Sequence, residues 1–169
     1  GGLTNTSGST TLTGVNTYSG NTVINGGGVT VSGSGTLGST ANNLTVNSNS
    51  SLTLTGTSQT AQIVGLNGST LTGGTLSGTS FTTTGDNTIS TALAGAGGLT
   101  NASGLTTLTG TNTYSGGTVV NSGSLYVSGD GTLGSASGTT TINNSTLDLG
   151  TTTQTQALVS LSNGIATNG

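Results

Sequence analysis

The stretch that decides the fold is Gly97–Gly123, which reads GGLTNASGLTTLTGTNTYSGGTVVNSG. The first 27 residues read GGLTNTSGSTTLTGVNTYSGNTVINGG, so the chain contains nearly the same string twice, 96 residues apart. Residues 1–48 and 97–144 align without gaps and are identical at 31 positions. One residue is then lost, and the match continues at an offset of 95 as far as residue 161. We therefore expect two units that continue one another, residues 1–96 and an incomplete second copy, residues 97–169.

The composition favours strands over helix and over disorder. The 169 residues include 41 Thr, 24 Ser, 17 Asn and 33 Gly, all of which are poor helix formers. Disordered chains combine low hydrophobicity with high net charge, whereas the net charge here is only −3. Short runs of Leu, Val or Ile alternate with Thr between turns rich in Gly and Asn, as in Val29-Thr30-Val31 and Leu52-Thr53-Leu54. This alternation predicts strands that place one apolar side chain inward and one hydroxyl outward.

The spacing of these runs predicts how the strands are arranged. They recur every 7 to 11 residues or so, and two or three of them make a coil of about 20 residues. A coil that cannot bury its apolar face alone must stack on its neighbours. The sequence therefore predicts an all-β fold, a parallel β-helix (β-solenoid) of roughly nine turns, with five turns in each 96-residue unit. An antiparallel sandwich is the alternative, but it gives no reason for a repeat in register over 96 residues.

Composition also excludes several functions. The chain has no Lys, Arg or His, so we expect no nucleic-acid binding, which requires cations. No apolar run reaches the roughly 20 residues of a membrane-spanning helix, so we expect a chain that is not embedded in a membrane. Ser and Thr nucleophiles lack a general base, and the three acids Asp86, Asp130 and Asp148 lie in different segments. We therefore expect no catalytic residue, no cofactor and no metal site, with Asp86 and Asp130 in turns and Asp148 pointing outward from a strand.

The duplicated string resembles a known family. LTNASGLTTLTGTNTYSGGTVVNSGSLYV (99–127) and LTNTSGSTTLTGVNTYSGNTVINGGGVTV (3–31) resemble the passenger-associated transport repeat of bacterial autotransporters. STALAGAGGLT (90–100) resembles the usual lead-in, and Asn5 and Asn101 stand where the family has a lysine. The resemblance implies a right-handed β-helix, secreted to the bacterial cell surface. It also singles out the signature residues of the NTYSG string as structural, namely Asn16, Tyr18, Gly20, Asn112, Tyr114 and Gly116.

The role of the repeated tyrosines has two interpretations. Tyr18 and Tyr114 either pack across adjacent turns, with each hydroxyl reaching a turn carbonyl, or form surface platforms for sugars. Two platforms five turns apart are not continuous, so packing is favoured. Phe81 is expected in the core, and Tyr126 replaces Thr30 at an outward position.

Three functions are compatible with this sequence to different degrees. The favoured one is a structural segment, either the shaft of an adhesin or an extracellular fibre built by end-to-end stacking. Its expected partners are copies of itself, flanking β-helix turns, and host or abiotic surfaces. The alternative is a Thr-rich module that binds ice or surface glycans, suggested by Thr-x-Thr at 11–13, 53–55, 70–72 and 107–109. An enzyme is the least favoured, because acid–base groups are missing.

Overall fold

The computed structural model describes residues 1–169 and contains strands and turns but no helix. In chain order the strands are β1 (Leu3–Asn5), β2 (Ser9–Leu12), β3 (Thr22–Ile24), β4 (Gly27–Ser32), β5 (Leu44–Val46), β6 (Ser50–Thr55), β7 (Ser58–Thr60), β8 (Ile63–Asn67), β9 (Thr70–Thr72), β10 (Thr75–Ser77), β11 (Ser80–Thr84), β12 (Asn87–Ile89), β13 (Ala92–Ala94), β14 (Leu99–Asn101), β15 (Leu105–Leu108), β16 (Thr118–Val120), β17 (Ser124–Val127), β18 (Thr139–Asn143), β19 (Thr146–Asp148), β20 (Leu158–Ser162) and β21 (Ile165–Thr167).

The strands form three parallel sheets. The first sheet has nine strands in the order β1-β3-β5-β8-β11-β14-β16-β18-β20, and the second has nine in the order β2-β4-β6-β9-β12-β15-β17-β19-β21. The third sheet has only β7, β10 and β13. Each circuit of the chain adds one strand to the first sheet and one to the second, and we call this circuit a coil. The prediction of a parallel β-solenoid of nine turns is confirmed.

The pairing register gives the length of each coil. Along the first sheet the partners are Leu3, Thr22, Leu44, Val64, Phe81, Leu99, Thr118, Thr140 and Val159. The eight steps between them span 19, 22, 20, 17, 18, 19, 22 and 19 residues. Five steps lead from Leu3 to Leu99, so this stretch of 96 residues contains five coils. The second copy repeats the steps of 19 and 22, and its third step is 19 where the first copy has 20, which places the lost residue in that coil.

The core follows from the alternation. Inward positions of neighbouring coils stack as ladders, for example Val29, Leu52, Leu71, Ile89 and Leu108 in the second sheet. These belong to one continuous cluster of 25 buried apolar residues that includes Phe81, as expected from the sequence. Stacked parallel strands lie about 4.8 Å apart, so each apolar side chain contacts the equivalent side chains above and below it.

Asparagine and glycine form the corners. Asn49 and Asn144, which occupy the same position in the two copies, adopt φ values of 61° and 48°. Asn tolerates this left-handed region because its short side chain bonds locally. Asparagines also pair between coils, since Asn47 Nδ2 donates to Asn25 Oδ1 at 2.7 Å and Asn143 Nδ2 donates to Asn121 Oδ1 at 2.9 Å.

The two long sheets differ in stagger. Five pairing steps along the second sheet connect Ser9 to Thr107, which is 98 residues later. The intermediate partners are Gly28, Ser51, Thr70 and Thr88. The same five coils take 96 residues along the first sheet. Because the difference is two residues, every side chain keeps its inward or outward direction.

Candidate functional site

The signature residues lie on the third side of the coils, where no strand is formed. Asn16, Tyr18 and Gly20 lie between β2 and β3, and their equivalents lie between β15 and β16. The third sheet forms this side only in three consecutive coils of the first unit, between the two signature segments. Some backbone groups of the second signature segment bond to the backbone of neighbouring coils, as when Thr113 N donates to the Leu93 carbonyl at 2.8 Å, and the remaining groups need side-chain partners.

Asn112 supplies such partners to the coils on both sides of it. Its Oδ1 accepts a hydrogen bond from the backbone N–H of Leu93 at 2.8 Å, and its Nδ2 donates to the carbonyl of Thr132 at 2.7 Å. The Thr132 hydroxyl completes the bridge by accepting from the Asn112 N–H and donating to the Asn112 carbonyl, both at 2.7 Å. Asn112 is only 3% exposed, so it connects three coils within the interior of the fold.

Asn16 repeats half of this arrangement. Its backbone N–H donates to the Thr36 hydroxyl at 2.7 Å, its Nδ2 donates to the Thr36 carbonyl at 2.8 Å, and the Thr36 hydroxyl donates to the Asn16 carbonyl at 2.9 Å. No bond reaches its Oδ1, the atom that accepts from Leu93 in the other copy. The bonds that join the asparagine to the following coil therefore form in both copies. The bond to Oδ1 requires a backbone N–H from the coil before it.

Two glutamines that the sequence analysis missed continue the bridge. Gln59 Oε1 accepts from the Leu37 N–H at 2.9 Å, and its Nε2 donates to the Gly35 carbonyl at 3.0 Å. Gln154 makes the same pair of bonds, with the Leu133 N–H at 2.9 Å and the Gly131 carbonyl at 3.0 Å. The available signal was the alignment of these two glutamines across the copies, at the starts of the strings QTAQIVGL and QTQALVSL.

The tyrosines pack inside the solenoid. Tyr114 is fully buried, and its ring lies 6.2 Å from that of Phe81 at an interplanar angle of 48°. Burial raises the pKa of Tyr114 well above that of a free phenol. Tyr18 is half-buried, and burial also raises its pKa. The packing interpretation therefore describes Tyr114, which cannot stack a sugar at the surface.

The expected partner of the tyrosine hydroxyl was wrong. Tyr114 is hydrogen-bonded to the Thr118 hydroxyl at 2.7 Å, and Thr118 in turn donates to the Leu133 carbonyl at 3.3 Å. Tyr18 and Thr22 are hydrogen-bonded at the same distance of 2.7 Å. The hydroxyl thus reaches a turn carbonyl only through a threonine, because Thr118, four residues later, turns inward at the start of β16.

The signature glycine is required by close approach. At Gly116, a Cβ atom would lie 2.5 Å from the Gly98 nitrogen and 2.6 Å from the Gly97 carbonyl carbon. At Gly20, it would lie 2.8 Å from the Gly1 carbonyl carbon and the Gly2 nitrogen. The Gly-Gly pair that begins each copy therefore faces the glycine that ends the NTYSG string in the same copy.

The three acids lie apart from one another in the structure. Asp86 Oδ1 accepts from the N–H of Leu105 in the next coil at 2.9 Å, and Asp130 lies in a turn. Asp148 points outward from β19, where hydrogen bonds from Asn168 and from the Gly150 N–H lower its pKa. No group of three acids, histidines or cysteines lies close enough to hold a metal ion. The structure also contains no helix long and apolar enough to cross a membrane.

Comparison with known proteins agrees with this geometry. Residues 7–31 and 103–127 match the model of the passenger-associated transport repeat family, and the two matches are 96 residues apart. Each match begins just before a second-sheet strand and ends in the next strand of that sheet, so it covers the whole signature segment. Neither the curated proteins nor the solved structures contain a significant match to the chain. The chain is therefore a β-solenoid in which two segments of 25 residues each are similar to the passenger-associated transport repeat.

Proposed function

We propose that this chain is a structural segment of a secreted bacterial cell-surface passenger, in which it forms part of a shaft. The observation that carries the proposal is the equivalence of the two copies within one ladder, because Leu3 and Leu99 occupy the same sheet exactly one unit apart. Residues 1–96 and 97–169 then act as successive lengths of one rod. At about 4.8 Å per coil, nine coils give a rod of about 40 Å.

The neutral surface supports a structural rather than an enzymatic role. Its outward positions are mostly Thr and Ser, which offer neither a general base nor a charged cleft. The signature residue Asn112 bonds between coils to Thr132, and Gln154 continues these bonds to the Leu133 N–H. We propose that these residues hold the third side of the coil closed wherever the repeat occurs.

A duplication tests the shaft. We expect that inserting a second copy of residues 3–98 directly after Gly98 adds five coils and lengthens the rod by about 24 Å. Small-angle X-ray scattering of the purified chain measures the change in maximal dimension. The control insert has the same composition, but each inward Leu, Val or Ile is exchanged with the following Thr. Equal behaviour of the two inserts, or no lengthening with the native one, would contradict the proposal.

The fibre version of the proposal is end-to-end stacking of copies of this chain. Each long sheet grows by adding one parallel strand to the strand before it, so a second copy could continue the same two ladders, and heterologous contacts of this kind propagate.

Imaging distinguishes the fibre from a single shaft segment. Cryo-electron microscopy of the purified chain at low concentration is expected to show filaments with a repeat built from coils about 4.8 Å apart. Isolated rods of about 40 Å would instead support a segment that does not assemble by itself.

A Thr-rich binding surface is the second candidate function. Thr11, Thr30, Thr53 and Thr72 form an outward ladder in register, with the last two hydroxyls 3.0 Å apart. Such a ladder could order water at ice or bind a surface glycan. The ice-binding form predicts thermal hysteresis of the native chain that is lost in Thr30→Lys and kept in Thr107→Lys. Absence of hysteresis in the native chain would exclude this form.

A further inference from the structure

The outward face of the second sheet differs between the two copies. Alignment of the copies pairs Ser9 with Leu105, Thr30 with Tyr126 and Thr53 with Asp148. The first copy thus has only hydroxyls at these positions, and the second copy has an aliphatic chain, an aromatic ring and a carboxylate.

The three changed positions are neighbours in space. Tyr126 pairs with Asp148 in the next coil. In the preceding coil Tyr126 pairs with Thr107, and Leu105 lies two residues before Thr107 on the same strand. Together with Ser124 and Thr146 they line an open cavity of about 340 Å³ on the outer face. Leu105 is 43% exposed, although outward positions of this solenoid are otherwise mostly polar. The difference between the copies therefore produces one cavity with three kinds of chemistry.

The carboxylate in this cavity is held in place and is charged. Asp148 Oδ1 accepts hydrogen bonds from Gly150 N at 2.9 Å and from Asn168 Nδ2 at 2.8 Å. Both bonds go to the same oxygen, so Oδ2 has no donor within the chain. The chain contains no lysine, arginine or histidine, so no side chain of this protein can neutralise the charge.

The ring of Tyr126 is positioned beside that carboxylate. A Cβ atom at Gly150 would lie 3.1 Å from Tyr126 Cε2 and 3.3 Å from its hydroxyl oxygen. The ring therefore leans across Gly150 toward the coil of Asp148. Its hydroxyl makes no hydrogen bond within the chain, and the side chain is half-exposed.

We propose that this cavity binds an arginine side chain of a partner protein. The guanidinium stacks on the Tyr126 ring and donates to Asp148 Oδ2, while the aliphatic stem packs on Leu105. The Ser124 and Thr146 hydroxyls lie within the same cavity and can accept the remaining N–H groups. Charge complementarity selects a cation, and arginine fits better than lysine because its planar group is weakly hydrated and stacks on rings. This inference is independent of the proposed shaft function.

Nuclear magnetic resonance of the full chain with Nα-acetyl-arginine amide as the probe tests this inference. We expect saturable shift changes at Tyr126, Asp148 and Leu105, with none at Ser9, Thr30 and Thr53, which serve as internal controls. Nα-acetyl-lysine amide is expected to bind at least threefold more weakly.

Four variants locate the site. Asp148→Asn keeps the Oδ1 acceptor and removes the charge, and Tyr126→Thr restores the residue of the first copy. Each is expected to weaken binding at least fivefold. Asp130→Asn removes the same charge elsewhere and is expected to leave binding within twofold. The variant Ser9→Leu, Thr30→Tyr, Thr53→Asp, Thr55→Gly, which also provides the glycine that the tyrosine ring crosses at Gly150, is expected to create a second set of shifts in the first copy.

Two outcomes would overturn the proposal. Equal shifts at Asp86, Asp130 and Asp148 would mean general attraction of cations to carboxylates. Stronger shifts at Tyr126 with methyl glucoside than with the arginine probe would mean that the cavity takes a neutral sugar. Folding of each variant is checked by the unchanged amide spectrum of β11, which lies outside the site.

Discussion

The two NTYSG segments have the same sequence and the same internal hydrogen bonds, yet they differ in burial. Tyr18 and Tyr114 each bond to a threonine hydroxyl four residues later at 2.7 Å. Tyr114 is fully buried against Phe81, whereas Tyr18 is half-buried. The local string therefore determines the bonds within the repeat, and the neighbouring coil determines how much apolar area each copy buries. Substitutions at matched positions separate these two contributions.

The largest difference is expected at the tyrosines. Tyr114→Ala leaves a cavity beside Phe81 and should lower the free energy of unfolding by about 3–5 kcal/mol. Tyr18→Ala removes a ring that is already partly in water, and less than half of that loss is expected. Urea unfolding of both variants under the same conditions measures the two effects. Equal losses would mean that the neighbouring coil contributes little to the packing of Tyr114.

The asparagines should give the next difference. Asn112→Ala leaves the Leu93 N–H and the Thr132 carbonyl without their side-chain partners, and we expect a loss of about 2–3 kcal/mol. Asn16→Ala removes the bond to Thr36 but none to a preceding coil, so a loss of about 1 kcal/mol is expected. Hydrogen exchange at the Leu93 amide is the sharper measurement. It should accelerate in Asn112→Ala and stay slow in Asn16→Ala.

Alkaline pH should distinguish the same tyrosines. Because burial raises the pKa of Tyr114, the folded state keeps this phenol neutral at a pH where the unfolded chain ionises it. The free energy of unfolding should be independent of this group below pH of about 10, and above it should fall by up to about 1.4 kcal/mol per pH unit. The chain has no lysine, arginine or cysteine to add a slope of its own.

Two phenylalanine variants provide the test. Tyr114→Phe should remove most of the alkaline slope, whereas Tyr18→Phe should remove only a smaller part, because burial also raises the pKa of the half-buried Tyr18. Thermal unfolding between pH 8 and pH 12 or so follows both variants. A slope unaffected by Tyr114→Phe would exclude this tyrosine as its source.

The smallest effect is expected where the copies do not differ. Asn49 and Asn144 both have positive φ, and glycine adopts this conformation without strain. Asn49→Gly and Asn144→Gly should each change the free energy of unfolding by only a few tenths of a kcal/mol, and by the same amount. Unequal effects would show that the difference between the copies extends to their corners.

Much of the fold could be predicted because the physical signals were repeated. The alternation in Leu52-Thr53-Leu54 and its equivalents predicted which side chains point inward and which point outward. The 96-residue offset predicted five coils per unit. The identity of the tyrosine partner could not be predicted, since it depends on Thr118 turning inward at the start of a strand. A threonine in this chain is outward at most positions, so its sequence context alone does not indicate a buried one.

Contacts between coils were also beyond prediction. The glutamine bridge at Gln59 and Gln154 depends on which backbone groups remain unpaired on the third side, and this is determined only when the coils are stacked. The two-residue stagger of the second sheet is similar, because it preserves the inward and outward alternation and leaves no trace in the pattern of hydrophobic residues. The cavity at Tyr126 needed the register of three coils, although each of its differing residues was visible in the alignment.

The strand order in the two long sheets also has a mechanical consequence. Every coil is hydrogen-bonded only to the coil above and the coil below, so a pull applied to the two ends of the chain acts on one outer coil at a time. The coils should then unfold one after another from the ends, rather than all at once. Each detached coil of about 20 residues releases about 60 Å of extended chain in place of about 4.8 Å of rod. A tether of this kind lengthens under load many times over while its remaining coils stay folded.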